Sequence, residues 1–336
     1  MLRPGAVSEI TKTESGRITV ATSGSDAEPL RLVELPKRPV GDRDVRVSVR
    51  AIGVNPVDWK MRSGGPLRLA HRFLGPSGPL VVGVDFAGEV TEAGPKADLP
   101  VGARVVGATD FSRKQLGSYA TEVVVRAEQC ATLPDSISFE AAACLPVPGA
   151  TALRCFELAS ISYAAPPKDA KVLVLGASGG VGLITLELTK AMGLQTVGIC
   201  SSRNVAQVER RGAIAVDYTR GDPLEAARAH GPFDLVLHAV GTDVYGLSTC
   251  RSLLTPRGVV TLIVVRPADF FSVLFRPSVK SALGRPNRAS LTPLVAALER
   301  GDIETLIEAR FPLAEAEKAH EISRAGKVVG KLLLIP

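Results

Sequence analysis

The sequence predicts an α/β protein with a β-rich first part and a second part built on a parallel sheet. Three observations carry that expectation. Short β-prone runs broken by Gly, Pro and Asp fill roughly residues 1–145; strand-length apolar runs alternate with helical stretches after residue 171; and 336 residues suffice for two domains.

The first part supplies RITVA at 17–21, DVRVSVRAIGV at 44–54, LVVGVDFAGEVTEAG at 80–94 and ARVVGA at 103–108. Val45, Val47 and Val49 alternate with polar residues, as a half-exposed strand requires. These runs predict a compact, mainly β domain, in the form of a partly closed barrel. The character changes after Pro148 and Gly149. KVLVL at 171–175 stops at glycine, and Val181, Ile184, Leu188 and Met192 then fall on one helical face. With TVGIC at 196–200 this predicts a right-handed βαβ unit. Strands are expected at AIAVD, DLVLHAV and GVVTLIVV, from residues 213, 234 and 258, with helices at about 204–210, 222–229 and 244–254. Such alternation favours a parallel sheet covered on both faces. Residues 267–288 break it with Phe and Leu beside Arg and Pro, which suits a substrate entrance, a subunit contact or an ordinary packed segment equally. A helix at 291–301, a strand near 306–311, a helix from Leu313 and the strand KLLLIP close the chain.

Composition narrows the function. With 46% hydrophobic and 22% charged residues the chain reads as soluble and globular. A formal charge of +6 suits an anionic ligand, but no basic tract interleaved with aromatics indicates nucleic acid. Lys37-Arg38 and Arg210-Arg211 read as solvated surface. No signal-like apolar stretch opens the sequence and no run of 18 apolar residues indicates a membrane span, so a cytoplasmic location is expected. Cys130, Cys144, Cys155, Cys200 and Cys250, odd in number and widely spaced, fit free thiols in a reducing compartment.

The strongest chemical motif is Gly176-Ala177-Ser178-Gly179-Gly180-Val181-Gly182, between a strand and a helix. Small residues let the backbone turn sharply and approach a pyrophosphate, whose charge meets the amino end of the helix. After the second strand stands Cys200-Ser201-Ser202-Arg203-Asn204, without an acid for ribose hydroxyls. Ser201 and Ser202 can donate hydrogen bonds and Arg203 a charge-assisted pair, so NADPH is expected over NADH. Tyr218 suits either the phosphate end or a strand cap. Val240, Gly241 and Val264 follow apolar strands and are expected at the carboxyl ends of the sheet, where the nicotinamide half would lie.

These pieces, with GVNPVDWK from Gly53, GVDFAGEVTEAG from Gly83, VGARVVG from Val101, GSYATEVVV from Gly117, PVPGATAL at 146–153 and the closing GKVVGKLLL, resemble the medium-chain dehydrogenase/reductase superfamily, in its quinone oxidoreductase and enoyl reductase branch. The resemblance covers essentially the chain beyond its first 25 residues. It implies a chaperonin-10-like β domain at 1–145, a Rossmann domain at 146–288, and a segment at 289–336 returning to the first domain, with the active site between them. It also implies Thr151 near the nicotinamide or its phosphate, Lys331 near the cofactor cleft, and homodimers formed through the nucleotide domains.

The zinc branch of that superfamily needs Cys, His and Cys at its catalytic metal, and four close Cys at a structural one. Here VNPVDW and Gly83-Val84-Asp85 stand at the first two positions and only Cys144 matches the third, so no zinc is expected. The expected reaction is reduction of a small quinone or α,β-unsaturated carbonyl, whose oxygen gathers negative charge and needs positioned donors. Asn55 is the first candidate for an orienting amide, Lys60 for the positive charge and Tyr119 for a hydrogen-bond or proton donor, with Asp58 structural. His71 is expected on a surface helix or loop, His238 in the core, and His230 and His320 on the surface, so bound water is as suitable a proton source as any side chain. An enoyl-thioester reductase is the alternative within the class. A protein that binds NADPH without efficient catalysis is the alternative outside it.

Overall fold

The computed structural model describes residues 17–23 and 28–336. The opening decapeptide, on which the absence of a signal peptide was read, lies outside the described residues.

Two sheets dominate. In the second part six parallel strands lie in the spatial order Ile214–Asp217, Gln195–Cys200, Lys171–Leu175, Phe233–His238, Leu254–Leu262 and Val279–Ser281. Numbered along the chain this is 3-2-1-4-5-6, the doubly wound Rossmann order, whose reversal beside Lys171–Leu175 opens a crevice at the carboxyl ends of the strands. The strands read as nearly continuous apolar runs because helices cover both faces; Val172, Leu173, Val174 and Leu175 are all fully buried.

The larger sheet has seven strands. Ile307–Pro312, Lys331–Ile335, Asp44–Val54, Asp85–Ala93, Arg104–Ala108 and Cys130–Thr132 follow one another, and Glu122–Arg126 pairs with the lower half of Asp44–Val54. The last strand of the chain therefore runs antiparallel to the third, with Leu333 opposite Gly53. The long run at 80–94 divides into Leu80–Val81 and Asp85–Ala93. Gly83 stands between them at φ 103°, where a Cβ would run into the Tyr119 ring. A helix at Pro146–Leu158 joins the two parts. Its Ala152, Cys155 and Phe156 share one core with Ala87 and Val106 of the larger sheet and with Val172 and Leu235 of the parallel one.

Three surface readings are corrected, those of Arg211, His320 and, at the cleft, His71. Arg211 is 5% exposed, with its guanidinium 2.9 Å from Glu187, because the short helix Val205–Arg210 packs its end against the helix after the glycine turn. His320 is fully buried, because Ala316, Ala319 and His320 form the inner stripe of the helix Ala316–Arg324. Residues 267–288 form a short helix, Phe270–Phe275, and the edge strand Val279–Ser281; Phe270, Phe271, Leu274 and Phe275 are each at least 61% exposed.

Candidate active site

A cleft of about 1720 Å³ runs between the two parts, lined on one side by the glycine turn and strand ends of the parallel sheet and on the other by Asn55, Lys60 and the helix Gly65–Leu74. It is larger than the usual site for one small ligand, as a dinucleotide and a second reactant together require.

The glycine turn is built for close approach. Gly176 takes φ 88°, and a Cβ on Gly182 would run into the carbonyl oxygen of Gly176. Helix Gly180–Ala191 thus starts pressed against its own turn, with its free N–H groups directed at the crevice. Gly176, Ser178, Gly179, Gly180 and Val181 line the cleft. Ala177 faces away: it is fully buried, and its Cβ lies 2.9 Å from where Gly198 would carry one. Backbone without side chains at a helix amino end is the shape and charge that a pyrophosphate fits, so these residues would hold a dinucleotide. The closing segment clamps the same turn, since the Gly330 N–H donates to the Ser178 carbonyl at 3.0 Å.

At the ends of the second and third strands of the parallel sheet Cys200 and half-exposed Tyr218 line the cleft, while Ser201, Ser202 and Arg203 lie just outside its lining. Asn204 donates to Ser201 Oγ at 3.3 Å, and the Arg203 guanidinium donates to the Lys327 carbonyl at 2.6 Å. Sequence reading found no acid after the second strand. The fold brings one from the third: Ser202 Oγ donates to Asp217 Oδ2 at 2.6 Å, and Arg220 lies 3.2 Å from the same carboxylate. The Ser202 hydrogen bond, ahead of smaller influences, holds the Asp217 carboxyl below its usual range. Thr151, Val240 and Val264 line the middle of the cleft, with Gly284 packed directly on Thr151. Gly241 stands outside the lining, in the turn where its carbonyl accepts from the Val244 N–H.

Beneath the cleft lies a buried polar network. Asn55 caps the helix Pro56–Arg62 and is 2% exposed. Its amide nitrogen donates to Asp85 Oδ2 at 2.9 Å, and its amide oxygen accepts from Lys331 Nζ at 2.7 Å. Lys331 also donates to the Val54 carbonyl at 2.9 Å and sits 3.4 Å from Asp85. Its three protons are thereby taken up inside the protein, so Lys331 fixes the amide rather than offering a free cation to a phosphate. Asp85 accepts, in addition, from the Val147 N–H at 3.0 Å. Burial raises the Asp85 pKa, and Lys331 and Asn55 oppose that rise.

Asp58 is fully buried too, accepting from the Asn55 N–H at 2.7 Å and the Tyr119 hydroxyl at 3.2 Å. Burial pushes its carboxyl up to about 7. Tyr119 also meets His320 Nε2 at 3.0 Å, and His320 Nδ1 lies 3.1 Å from Arg62, which pairs with Glu317 at 2.8 Å. Burial, with Arg62 beside it, lowers His320 to about 3. Tyr119 is 0% exposed and does not line the cleft, so its hydroxyl serves this buried chain and is not presented to a substrate. Lys60 does line the cleft. It is half-buried, which lowers its pKa, and among the described residues its ammonium meets the Trp59 ring at 5.5 Å and no carboxylate.

Sequence reasoning passed over Asp85 as a positioning group, although a lone acid inside the apolar run GVDFAG was a signal of a buried, partnered carboxylate. His71, expected on the surface, is buried against Phe111 at a ring separation of 5.6 Å. His238 is buried, with its Nε2 2.9 Å from the Tyr245 carbonyl.

A parallel sheet with a glycine turn at its switch point, closed against a β domain that brings Asn55 and Lys60 to the same cleft, defines an oxidoreductase that uses a nicotinamide dinucleotide. Comparison with known proteins agrees. Residues 41–135 match the alcohol dehydrogenase GroES-like domain and residues 212–334 the zinc-binding dehydrogenase family. A quinone oxidoreductase of Pseudomonas aeruginosa is 31% identical over 323 residues, covering 88% of this chain and 92% of that protein. A trans-enoyl reductase of Aspergillus terreus is 28% identical, covering 88% and 87% respectively. The structure of the Escherichia coli quinone oxidoreductase complexed with NADPH superposes with a TM-score of 0.78 at 26% identity, over 95% of this chain and 99% of that one. The chain belongs to the quinone oxidoreductase branch of the medium-chain dehydrogenase/reductase superfamily. Among the described residues no three His, Cys, Asp or Glu side chains gather as metal ligands, and burial pushes the Cys144 thiol up to about 12. No helix of the described residues is long and apolar enough to cross a membrane.

Proposed function

We propose that this protein uses NADPH to reduce a quinone or an α,β-unsaturated carbonyl compound, with no zinc in the reaction. The observation that carries the proposal is the Lys60 ammonium, half-buried in the cleft on the helix that a locked Asn55 caps, and without a carboxylate partner among the described residues. The nicotinamide, when bound, supplies the hydride. Negative charge then gathers on the acceptor oxygen, where Lys60 is placed to stabilise it. With Tyr119 enclosed, the proton that completes the quinol or the saturated carbonyl comes from water entering the cleft. Asn55 orients the ribose through the remaining lone pair of its amide oxygen, because Asp85 and the Gly53 carbonyl take its two amide protons and Lys331 holds the oxygen in place. In this reading residues 146–288 carry the cofactor, and residues 1–145 with 289–336 carry the acceptor side. The open edge at Val279–Ser281 is the place for a second copy to extend the sheet, as a dimer through the nucleotide domains would.

Similarity to a trans-enoyl reductase favours a second reading, reduction of an enoyl thioester. Time-resolved NADPH oxidation with matched quinones, enones and enoyl thioesters, products identified by mass spectrometry and chelator controls included, separates the two. Chelator-insensitive quinol or saturated ketone is the expected result. Turnover of thioesters alone selects the second reading, and tight NADPH binding without any turnover overturns both. Lys60→Gln is expected to lower kcat/KM by about 100-fold with KM for NADPH unchanged.

A further inference from the structure

The wall of the cleft opposite the glycine turn has a chemistry that a dinucleotide does not use. Met61, Leu67, Ala70 and Leu74 line it in sequence, and their exposure climbs from 4% at Met61, through half-buried Leu67 and Ala70, to 51% at Leu74. The spacing places Leu67, Ala70 and Leu74 on one face of the helix Gly65–Leu74, so the stripe is continuous. Phe111, from the same domain, and Leu283, 68% exposed on the facing segment, also line the cleft beside this route. Apolar side chains therefore lead from the deep end, next to Asn55 and Lys60, outward to solvent. From Leu67 to Leu74 the helix rises about 10 Å.

We propose that the acceptor carries an aliphatic tail: its reducible head sits at Asn55 and Lys60, and its tail lies along Met61, Leu67, Ala70 and Leu74 towards the mouth. This rests on the acceptor reading above and adds the substrate class. A head group alone would leave the stripe wet, whereas a tail removes apolar surface from water on both partners. Each methylene laid on this surface is expected to raise affinity about two- to fourfold until the tail passes Leu74. Phe73, the neighbour of Leu74, is 70% exposed and stands outside the lining, so it provides an internal control.

The test uses the full chain with cofactor and two homologous series. The first is 2-methyl-, 2-pentyl- and 2-decyl-1,4-benzoquinone, read as kcat/KM. The second is the matching 2-alkyl-1,4-dimethoxybenzenes, which cannot accept hydride, read as calorimetric affinity for the NADP⁺-bound protein. The expected result is a gain of at least tenfold from methyl to pentyl in both series. Leu74→Asp should cut the decyl-to-methyl ratio at least tenfold, while Phe73→Asp leaves it unchanged. A flat series, or a gradient lost in Phe73→Asp and kept in Leu74→Asp, overturns the inference. If quinones are not reduced yet the dimethoxybenzenes bind with the Leu74-dependent gradient, the quinone reading falls and the aliphatic-tail inference stands.

Discussion

Asp85 and Asp58 flank the same asparagine, and both are completely buried, yet they are different kinds of group. Asp85 receives the Asn55 amide, the Val147 N–H and the Lys331 ammonium, three donors that favour its charged form. Asp58 receives the Asn55 N–H and the Tyr119 hydroxyl, and its Oδ1 has no partner among the described residues. Burial raises both and Lys331 opposes both, but only Asp85 touches that cation, at 3.4 Å, while the Asp85 charge itself adds to the rise at Asp58. Burial with unequal partners makes one carboxylate an anchor and leaves the other able to take up a proton near neutrality.

The largest expected effect breaks the anchor. Asp85→Ala strands the Lys331 ammonium in the interior and frees the Asn55 amide, and should cost about 3–5 kcal/mol of unfolding free energy. Denaturant titration measures that loss. Asp85→Asn, which keeps the shape and one acceptor oxygen but not the charge, should recover only a minor part of the stability, with kcat/KM still depressed. Near-complete recovery in Asp85→Asn would mean that the geometry, not the charge, holds the network.

Asp58→Asn sharpens the comparison through pH. The raised Asp58 pKa means that between its unfolded value near 3.8 and about 7 the native state binds more protons than the unfolded one, so this group lowers stability as pH rises. His320, lowered from 6.5 to about 3, has the opposite sign across nearly the same window, and the two offset each other. In Asp58→Asn the His320 contribution loses this offset, while Glu187, also raised to about 7, acts alike in both proteins, so stability should rise more steeply from pH 4 to 6.5 than in the wild type. Thermal melts across that range check it; parallel curves for the two proteins would show that Asp58 stays ionised.

The smallest effect is expected at the exposed end. Arg203→Ala should reduce the ratio of kcat/KM for NADPH over NADH by about tenfold, the scale of one solvent-screened charge-assisted contact. Asp217→Asn, which removes the acid that Ser202 now binds, should move the ratio the other way.

Legibility followed sequence separation. Lys171–Leu175 and the helix after the glycine turn were readable because a period of 3.6 succeeded a short apolar run within twenty residues. The two strands inside 80–94 ran together because nothing local marks the bend at Gly83; the Tyr119 ring that crowds it comes from another strand pairing. Tyr119 read as a donor from its hydroxyl, although GSY also looks like a turn at a strand entrance, and its enclosure depends on Asp58 and His320, 61 and 201 residues away. His320 was expected on the surface, and apart from itself the inner stripe of its helix consists of two alanines, Ala316 and Ala319, a weak apolar signal. Asp217 was missed although its neighbour Tyr218 was considered, because its pairing with Ser202 arises only where the parallel sheet sets two strand ends side by side.

By itself the sequence determined the α/β class, the strand-turn-helix that addresses a pyrophosphate and the absence of the family's zinc ligand pattern, since each is a local pattern of small, apolar and charged residues. Only the tertiary structure decided that Lys331, at the far end of the chain, spends its charge on Asn55 and Asp85, that Tyr119 is sealed away, and that an apolar stripe leads out of the cleft. Those outcomes depend on contacts spanning up to 277 residues. Burial and pairing at such range set pKa and access, and no local pattern encodes them.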